Sequence, residues 1–321
     1  MKYLYVLVGS KKGFYCEQTL VSMASLKRIE PASFITLLVD NQTEVDCKKK
    51  IERIRKYVDE YIIVPIEEDF PAIARSRYIK TTMRKYVEGD FLYVDADTIW
   101  NAPVEKNDFT HDIMGVLDGH CLLADHPLKK GIEEDFRKVG YNPEVERYVN
   151  GGVLFSKDSD VSRKFYDLWH ETWRHTSLSR CFIDMPSLNY AIKRIGDSFA
   201  LLPDSYNVQI SRSWEYFPHA KLIHFFTGWQ NNYFESPYLF QKNSFWEEVC
   251  QNGISKYVSD AINNPLVSFE KTLGVYGRDE RAFRDTALYG FLVEIYIKRN
   301  KRKTFYLLEN MMKKMSKFFS K

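Results

Sequence analysis

The stretch Phe91-Leu92-Tyr93-Val94-Asp95-Ala96-Asp97-Thr98-Ile99-Trp100 decides how the rest of the chain is read. Its opening run Phe91-Leu92-Tyr93-Val94 is apolar without alternation, as in a strand covered on both faces of a parallel sheet. The strand delivers two carboxylates, Asp95 and Asp97, at positions i and i+2. In extended backbone such positions point the same way, so both are expected to reach one cation. Two carboxylates leave coordination positions for phosphate oxygens and water, which suits Mn2+ or Mg2+. An Asp-x-Asp triplet also occurs where a strand end simply faces solvent. Its position after a buried strand is what makes it a candidate metal site.

The flanking sequence repeats this alternation. Tyr3–Val8, Phe34–Asp40 and Tyr61–Ile66 read as strands, with helical patterns over Phe14–Ile29, Asp46–Val58 and Pro71–Val87. Further on, Asp112–Leu117, Gly152–Phe155 and Lys221–Phe226 are expected strands, and Asp160–His175 and Met185–Ile195 expected helices. From about residue 245 the pattern is helical throughout, over Phe245–Asp260, Arg281–Lys298 and Thr304–Lys317. Alternating β and α units predict a doubly wound, Rossmann-like α/β sheet, mostly parallel, with its ligand crevice at the carboxyl ends of the strands. The expected organisation is an α/β unit over residues 1–245 and a helical extension over 246–321, with no internal repeat and no low-complexity linker.

At 321 residues, 45% hydrophobic and 28% charged, the chain has the composition of a globular protein with a substantial core. Five scattered cysteines (Cys16, Cys47, Cys121, Cys181, Cys250) form no CxxC pair, which points to a reducing compartment rather than a disulfide framework. The apolar run at the start is too short for a signal peptide, and no stretch reaches the roughly 18–20 apolar residues of a membrane span. A cytoplasmic location is therefore expected. The net charge of +3 is unevenly spread: residues 298–321 carry nine Lys/Arg against the single acid Glu309, leaving an acidic body.

Six motifs in fixed order give the clearest likeness: ARSRYIK at 74–80, LYVDADT at 92–98, VNGGVLFS at 149–156, DMPSLNYA at 184–191, LPDSYNVQ at 202–209 and LIHFFTG at 222–228. Together they resemble the family-8 glycosyltransferases, retaining enzymes of the GT-A fold that include glycogenin-like and bacterial galactosyl- and glucosyltransferases. The resemblance spans roughly residues 1–235. It implies transfer of a hexose, glucose or galactose, from a UDP-sugar to a glycan or lipid-linked glycan in cell-surface polysaccharide or lipopolysaccharide synthesis. Asp95, Asp97 and His224 would hold the metal. Val8 and Gly9 would line the nucleoside, with Tyr15 stacked on the base. Arg77 and Lys80, three apart and so on one helix face, would reach the diphosphate. Asn150 and Asp184 would be the catalytic residues and, with Gly151 and Gly152, would meet the donor sugar; Ala96 would belong to the donor-binding set.

Each residue also has a plainer reading. His224 taken alone reads as a buried strand histidine, Tyr15 as a core tyrosine, Arg77 and Lys80 as solvated charges, and Asn150-Gly151-Gly152 as a turn. Asp184 before Pro186 reads as a helix cap. Two departures from the family stand out. The usual His-x-x-Gly-x-x-Lys becomes His224 followed by Phe225-Phe226-Thr227-Gly228-Trp229-Gln230-Asn231, so the glycine is one residue late and the lysine is missing. Backbone N–H groups near Gly228, or another cation, would have to contact the diphosphate. Many relatives carry Gln where this chain has Met185, which cannot act as a nucleophile.

The tail reads as a basic amphipathic helix, with Phe305, Leu308, Met312, Met315 and Phe319 at helical spacing below the cluster Lys298-Arg299 and Lys301-Arg302-Lys303. That pattern fits a membrane surface on the inner face of the cytoplasmic membrane. The acidic body argues against nucleic acid. Among rival enzymes, a sugar-nucleotidyltransferase needs a glycine-rich phosphate loop, for which Gly9-Ser10-Lys11-Lys12-Gly13 is too sparse. A dehydrogenase is disfavoured because no GxGxxG follows the first strand. A non-catalytic glycan- or nucleotide-binding relative is the remaining alternative.

Overall fold

A computed structural model describes the chain except residues 11–12, 67–68, 143–144, 179, 213, 227–235, 237, 270–277, 299–300 and 320–321. The strands are β1 (Lys2–Leu7), β2 (Phe34–Asp40), β3 (Glu60–Val64), β4 (Phe91–Val94), β5 (Thr98–Trp100), β6 (Ile113–Leu117), β7 (Val149–Ser156), β8 (Phe199–Leu201), β9 (Val208–Gln209) and β10 (Leu222–His224). A seven-stranded sheet runs in the order β3-β2-β1-β4-β7-β6-β8, and a three-stranded sheet in the order β5-β10-β9. In the large sheet only β7 runs against its neighbours, pairing antiparallel with β4 and β6.

The helices are α1 (Tyr15–Ile29), α2 (Asn41–Asp46), α3 (Lys48–Arg55), α4 (Ala72–Thr82), α5 (Lys129–Lys138), α6 (Asp160–Ser177), α7 (Met185–Ile195), α8 (Asn243–Asn252), α9 (Lys256–Asn263), α10 (Arg278–Arg284), α11 (Ala287–Ile297) and α12 (Arg302–Phe319). Alternate strand residues feed two cores, because successive side chains leave opposite faces of a sheet. Tyr5, Leu7, Leu37, Val39, Leu92 and Val94 pack on one face with α1, the small sheet and residues of α8 and α9 such as Trp246 and Val258. Leu4, Val6, Leu38, Tyr93 and Leu154 pack on the other with Ile79, Phe165, Trp169 and Leu188 of α4, α6 and α7. Each fully buried Leu or Phe contributes about 1.5–3 kcal/mol, so these two layers fix the sheet that carries the site.

Three expected helices are broken. The expected helix Asp46–Val58 starts earlier, at Asn41, and divides at Cys47. Phe245–Asp260 divides at Gly253, whose φ of +66° suits glycine, and Ser255 then caps α9 by accepting from Val258 N–H. Arg281–Lys298 divides before Thr286, whose hydroxyl accepts from Tyr289 N–H and starts α11. Strands β5, β8 and β9 are not expected from the sequence, because runs of two or three residues carry no usable periodicity; helix α5, ten residues long with only Ile132 and Phe136 buried, is not expected either.

Helices α11 and α12 pack on each other, with Phe305 against Tyr296 at a ring-centroid distance of 5.0 Å. Phe305 and Leu308 are partly covered, so part of the expected apolar face of the tail is spent within the protein. Met312 and Met315 of that face are exposed, as are Tyr306, Leu307 and Met311 beside it and Leu288 and Phe291 of α11. The side chain of Phe319 lies outside the described residues. Among the described residues, no helix is long and apolar enough to cross a membrane.

Candidate metal and donor site

Strand β4 ends at Val94, and Asp95, Ala96 and Asp97 form the bend into β5. The two carboxylates therefore do not converge by sharing one side of a strand, as the i, i+2 spacing suggests. They converge because the chain turns there and neighbouring strands hold both ends of the turn. Asp95 N–H donates to Gly152 O at 2.8 Å, next to the β4–β7 pair Val94–Val153. On the other side Phe225 N–H donates to Asp97 O at 3.0 Å, and the antiparallel register of β10 on β5 sets His224 opposite Thr98. That register brings His224 Nε2 within 3.2 Å of Asp97 Oδ1.

One ligand atom from each of Asp95, Asp97 and His224 lies within 4.8 Å of the others. Metal–oxygen bonds of about 2.0–2.6 Å put opposite ligands of one ion about 4–5 Å apart, so the three fit a single divalent cation. The donor set, two carboxylates and an imidazole, suits Mn2+ or Mg2+. Burial disfavours the charged imidazole of His224, but the Asp97 and Asp95 carboxylates outweigh it and raise its pKa above the ordinary value. Burial likewise opposes the Asp95 charge. The Lys80 ammonium, then His224, the Tyr93 hydroxyl and Arg77, prevail and hold its carboxyl below the usual range.

Helix α4 supplies the cations. Lys80, with its side chain 5% exposed, donates to Asp95 Oδ1 at 3.2 Å and to Oδ2 at 3.4 Å. The Tyr93 hydroxyl donates to the same carboxylate. One turn earlier, Arg77 Nε lies 2.9 Å from Asp184 Oδ1 without an aligned hydrogen bond, so charge holds the pair. Asp184, then Asp95, raise the Arg77 pKa above its ordinary value. Asp184 precedes α7, but its side chain makes no capping hydrogen bond and faces Arg77 instead. Arg75, on another face of the same helix, is buried against Asp40 at 2.7 Å and serves the fold.

The expected nucleoside wall lies where β1 runs out. Val8 is buried, and Gly9 N–H donates to Thr43 Oγ1 at 3.0 Å. Tyr15 opens α1 and is 52% exposed, so it is no core tyrosine; the charges of Asp97, Arg77 and Asp95 all act on its hydroxyl. Ala96 sits between the two carboxylates at the bend. Asn150 bonds within the protein at both ends: it donates to Asp118 Oδ1 at 2.8 Å and accepts from Gly152 N–H at 2.8 Å and Asn207 Nδ2 at 3.0 Å. Gly151 N–H donates to Met185 Sδ at 3.2 Å, which sets the thioether beside the glycine pair. Gly228 lies outside the described residues.

Sequence reading passed over Tyr93, Asp118 and Asn207. Tyr93 looked like any strand aromatic, and Asp118 follows β6 with no motif around it. Asn207 lies in the LPDSYNVQ motif, yet only the fold shows that its side chain accepts from His224 Nδ1, at 3.0 Å.

No known family profile and no curated protein sequence matches the chain. Solved structures do. A galactosyltransferase, LgtC, in complex with donor and acceptor sugar analogs superposes with a TM-score of 0.51 at 12% identity, covering 85% of this chain and 98% of that one. An active-site mutant of LgtC gives 0.48 at 13% identity, covering 70% and 87%. Mouse xyloside xylosyltransferase 1, apo form, gives 0.48 at 13% identity, covering 70% and 97%. The chain thus has the mostly parallel, Rossmann-like GT-A fold found among glycosyltransferases, with added helices at its C-terminal end.

Proposed function

We propose that the protein is a metal-dependent family-8 glycosyltransferase that moves a hexose, glucose or galactose, from a UDP-sugar to a glycan acceptor with retention of configuration. The observation that carries this reading is the convergence of Asp95, Asp97 and His224 within 4.8 Å at the end of β4. In a doubly wound sheet, that end of the strands is where ligands bind. A divalent cation held there supplies positive charge to the diphosphate leaving group.

The chain's own residues account for the rest. Arg77 is paired with Asp184 by charge and not by an aligned hydrogen bond, which leaves its guanidinium donors able to meet a phosphate oxygen. Together with Lys80 it replaces the lysine missing after His224. Asp184 then meets donor-sugar hydroxyls, Gly151 and Gly152 let backbone approach the sugar, and Tyr15 covers the base beside Val8 and Gly9. Asn150 acts by holding this frame. Met185 offers no nucleophile, so the acceptor hydroxyl attacks C1 from the side of the leaving diphosphate. The C1–O bond to the diphosphate breaks, the new glycosidic bond forms, and the acceptor proton passes to a diphosphate oxygen.

The catalytic unit is residues 1–245, which contain all these residues, and residues 246–321 form the helical extension. The exposed apolar set Leu307, Met311, Met312 and Met315, close to Lys301, Arg302 and Lys303, suits peripheral attachment to an anionic membrane surface. That attachment, on the inner face of the cytoplasmic membrane, brings the enzyme to a lipid-linked glycan in cell-surface polysaccharide or lipopolysaccharide synthesis. The test is calorimetric titration of UDP with and without Mn2+, on the wild type and on Asp97→Ala. Manganese-dependent binding lost in the variant is expected; binding that ignores both manganese and Asp97, or no binding at all, overturns the metal reading.

A further inference from the structure

A buried line of side chains runs away from the metal site: His224, Asn207, Asn150, Asp118, His126. His224 Nδ1 is 3.0 Å from Asn207 Oδ1. Asn207 Nδ2 is 3.0 Å from Asn150 Oδ1, Asn150 Nδ2 is 2.8 Å from Asp118 Oδ1, and Asp118 Oδ2 is 3.0 Å from His126 Nε2. All five residues are buried. Amides and imidazoles can in principle face either way, so the direction of such a line must be argued from groups that cannot.

Two backbone N–H groups settle it. Leu128 N–H points at His126 Nδ1 at 3.0 Å and can only donate. His126 Nδ1 is therefore a bare lone pair, and His126 Nε2–H donates to Asp118. An ionised Asp118 only accepts, so the Asn150 group facing it is the NH2. Independently, Gly152 N–H points at the other end of Asn150, at 2.8 Å, which demands that this end be the carbonyl oxygen. Both ends of Asn150 are then pinned, and Asn207 must turn its NH2 toward Asn150 and its oxygen toward His224. His224 consequently keeps its proton on Nδ1.

We infer that Asn207 is a positioning residue for the metal site: held in one orientation by Asn150 and Asp118, it fixes His224 with its Nε2 lone pair aimed at the cation position between Asp95 and Asp97. The inference rests on the reading of those three residues as metal ligands and adds the residue that presets one of them. Partners that orient a metal-bound histidine commonly set metal affinity by about 10–100-fold.

The test titrates Mn2+ directly, following the free ion by electron paramagnetic resonance, into metal-free wild type, Asn207→Leu and Asn207→Asp, with a melting curve for each. Both substitutions break the link to Asn150, but only Asn207→Asp keeps an acceptor for His224 Nδ1–H. Asn207→Leu is expected to weaken Mn2+ binding about 10–100-fold and Asn207→Asp to recover most of that loss. Should Asn207→Leu fail to fold, Asn207→Ala, which adds no bulk, is titrated instead. Unchanged affinity in Asn207→Leu, or equal loss in Asn207→Asp, overturns the inference while leaving the metal reading intact. A wild type that binds no Mn2+ overturns the metal reading and this inference with it.

Discussion

The ring of His224 lies against the backbone of Gly152, so closely that a Cβ built on Gly152 would sit 2.4 Å from His224 Cε1 and 2.8 Å from its Nδ1. The same Cβ would meet Asn150 Oδ1 at 2.9 Å. Glycine at 152 is therefore a condition of the Asp95, Asp97 and His224 cluster, because only bare backbone leaves room for the imidazole beside Asp95, whose N–H bonds Gly152 O.

Gly152→Ala is expected to push His224 away from Asp97 and to overpack the network around Asn150. Overpacking of this kind costs about 1–3 kcal/mol. Mn2+ titration and thermal melting would both register it; an alanine variant with wild-type Mn2+ affinity would show that His224 does not need this seat.

Arg77→Met leaves the nearly buried Asp184 carboxylate without its cation. Arg77 is itself partly exposed, so the expected loss lies between surface and fully buried pairs, about 1–2 kcal/mol. Asp184→Asn in the same chain should restore part of it, because no uncompensated charge remains. UDP affinity separates the roles: it should fall in Arg77→Met and stay low in the double variant, where folding has recovered but the phosphate contact has not.

Asp118 sets an acid limit on stability. Burial opposes its charge, but the hydrogen bond from His126, the charge of Arg212 and the Asn150 amide outweigh burial and hold its carboxyl below the ordinary range. A depressed folded value means the contribution is fully present above the unfolded aspartate value of about 3.9 and is lost as pH falls through the folded value. Denaturant melts between neutral pH and pH values below about 4 should show a steeper acid loss in wild type than in Asp118→Asn. Equal slopes would remove Asp118 from the account.

Leu307 and Met311 lie one turn apart on α12 and are both exposed. Leu307→Glu with Met311→Glu should abolish flotation with anionic vesicles and leave UDP binding unchanged, and wild-type flotation should weaken as salt screens the lysines. Flotation that survives the double substitution, or a wild type that never floats, would rule out attachment through this helix. A chain ending at residue 297 supplies the matching truncation.

The sequence by itself determined the alternation of strands and helices as far as β4 and the candidate ligands Asp95, Asp97 and His224. Unbroken apolar runs and helical spacing are local signals that survive without the fold, and the six motifs lie along them. It also placed Arg77 and Lys80 on one face of α4, where Arg77 meets Asp184 and Lys80 meets Asp95. Only the tertiary structure decided how the ligands meet. The two carboxylates sit on a bend, and the register of β10 on β5 brings in His224 from 127 residues away. The partner of Asp184, the direction of the hydrogen bonds through Asn150 and Asn207, and the apolar face left open on α12 were likewise invisible to spacing. Each depends on which distant backbone N–H or side chain arrives opposite, and that is set by strand register and helix packing, not by neighbours in the chain.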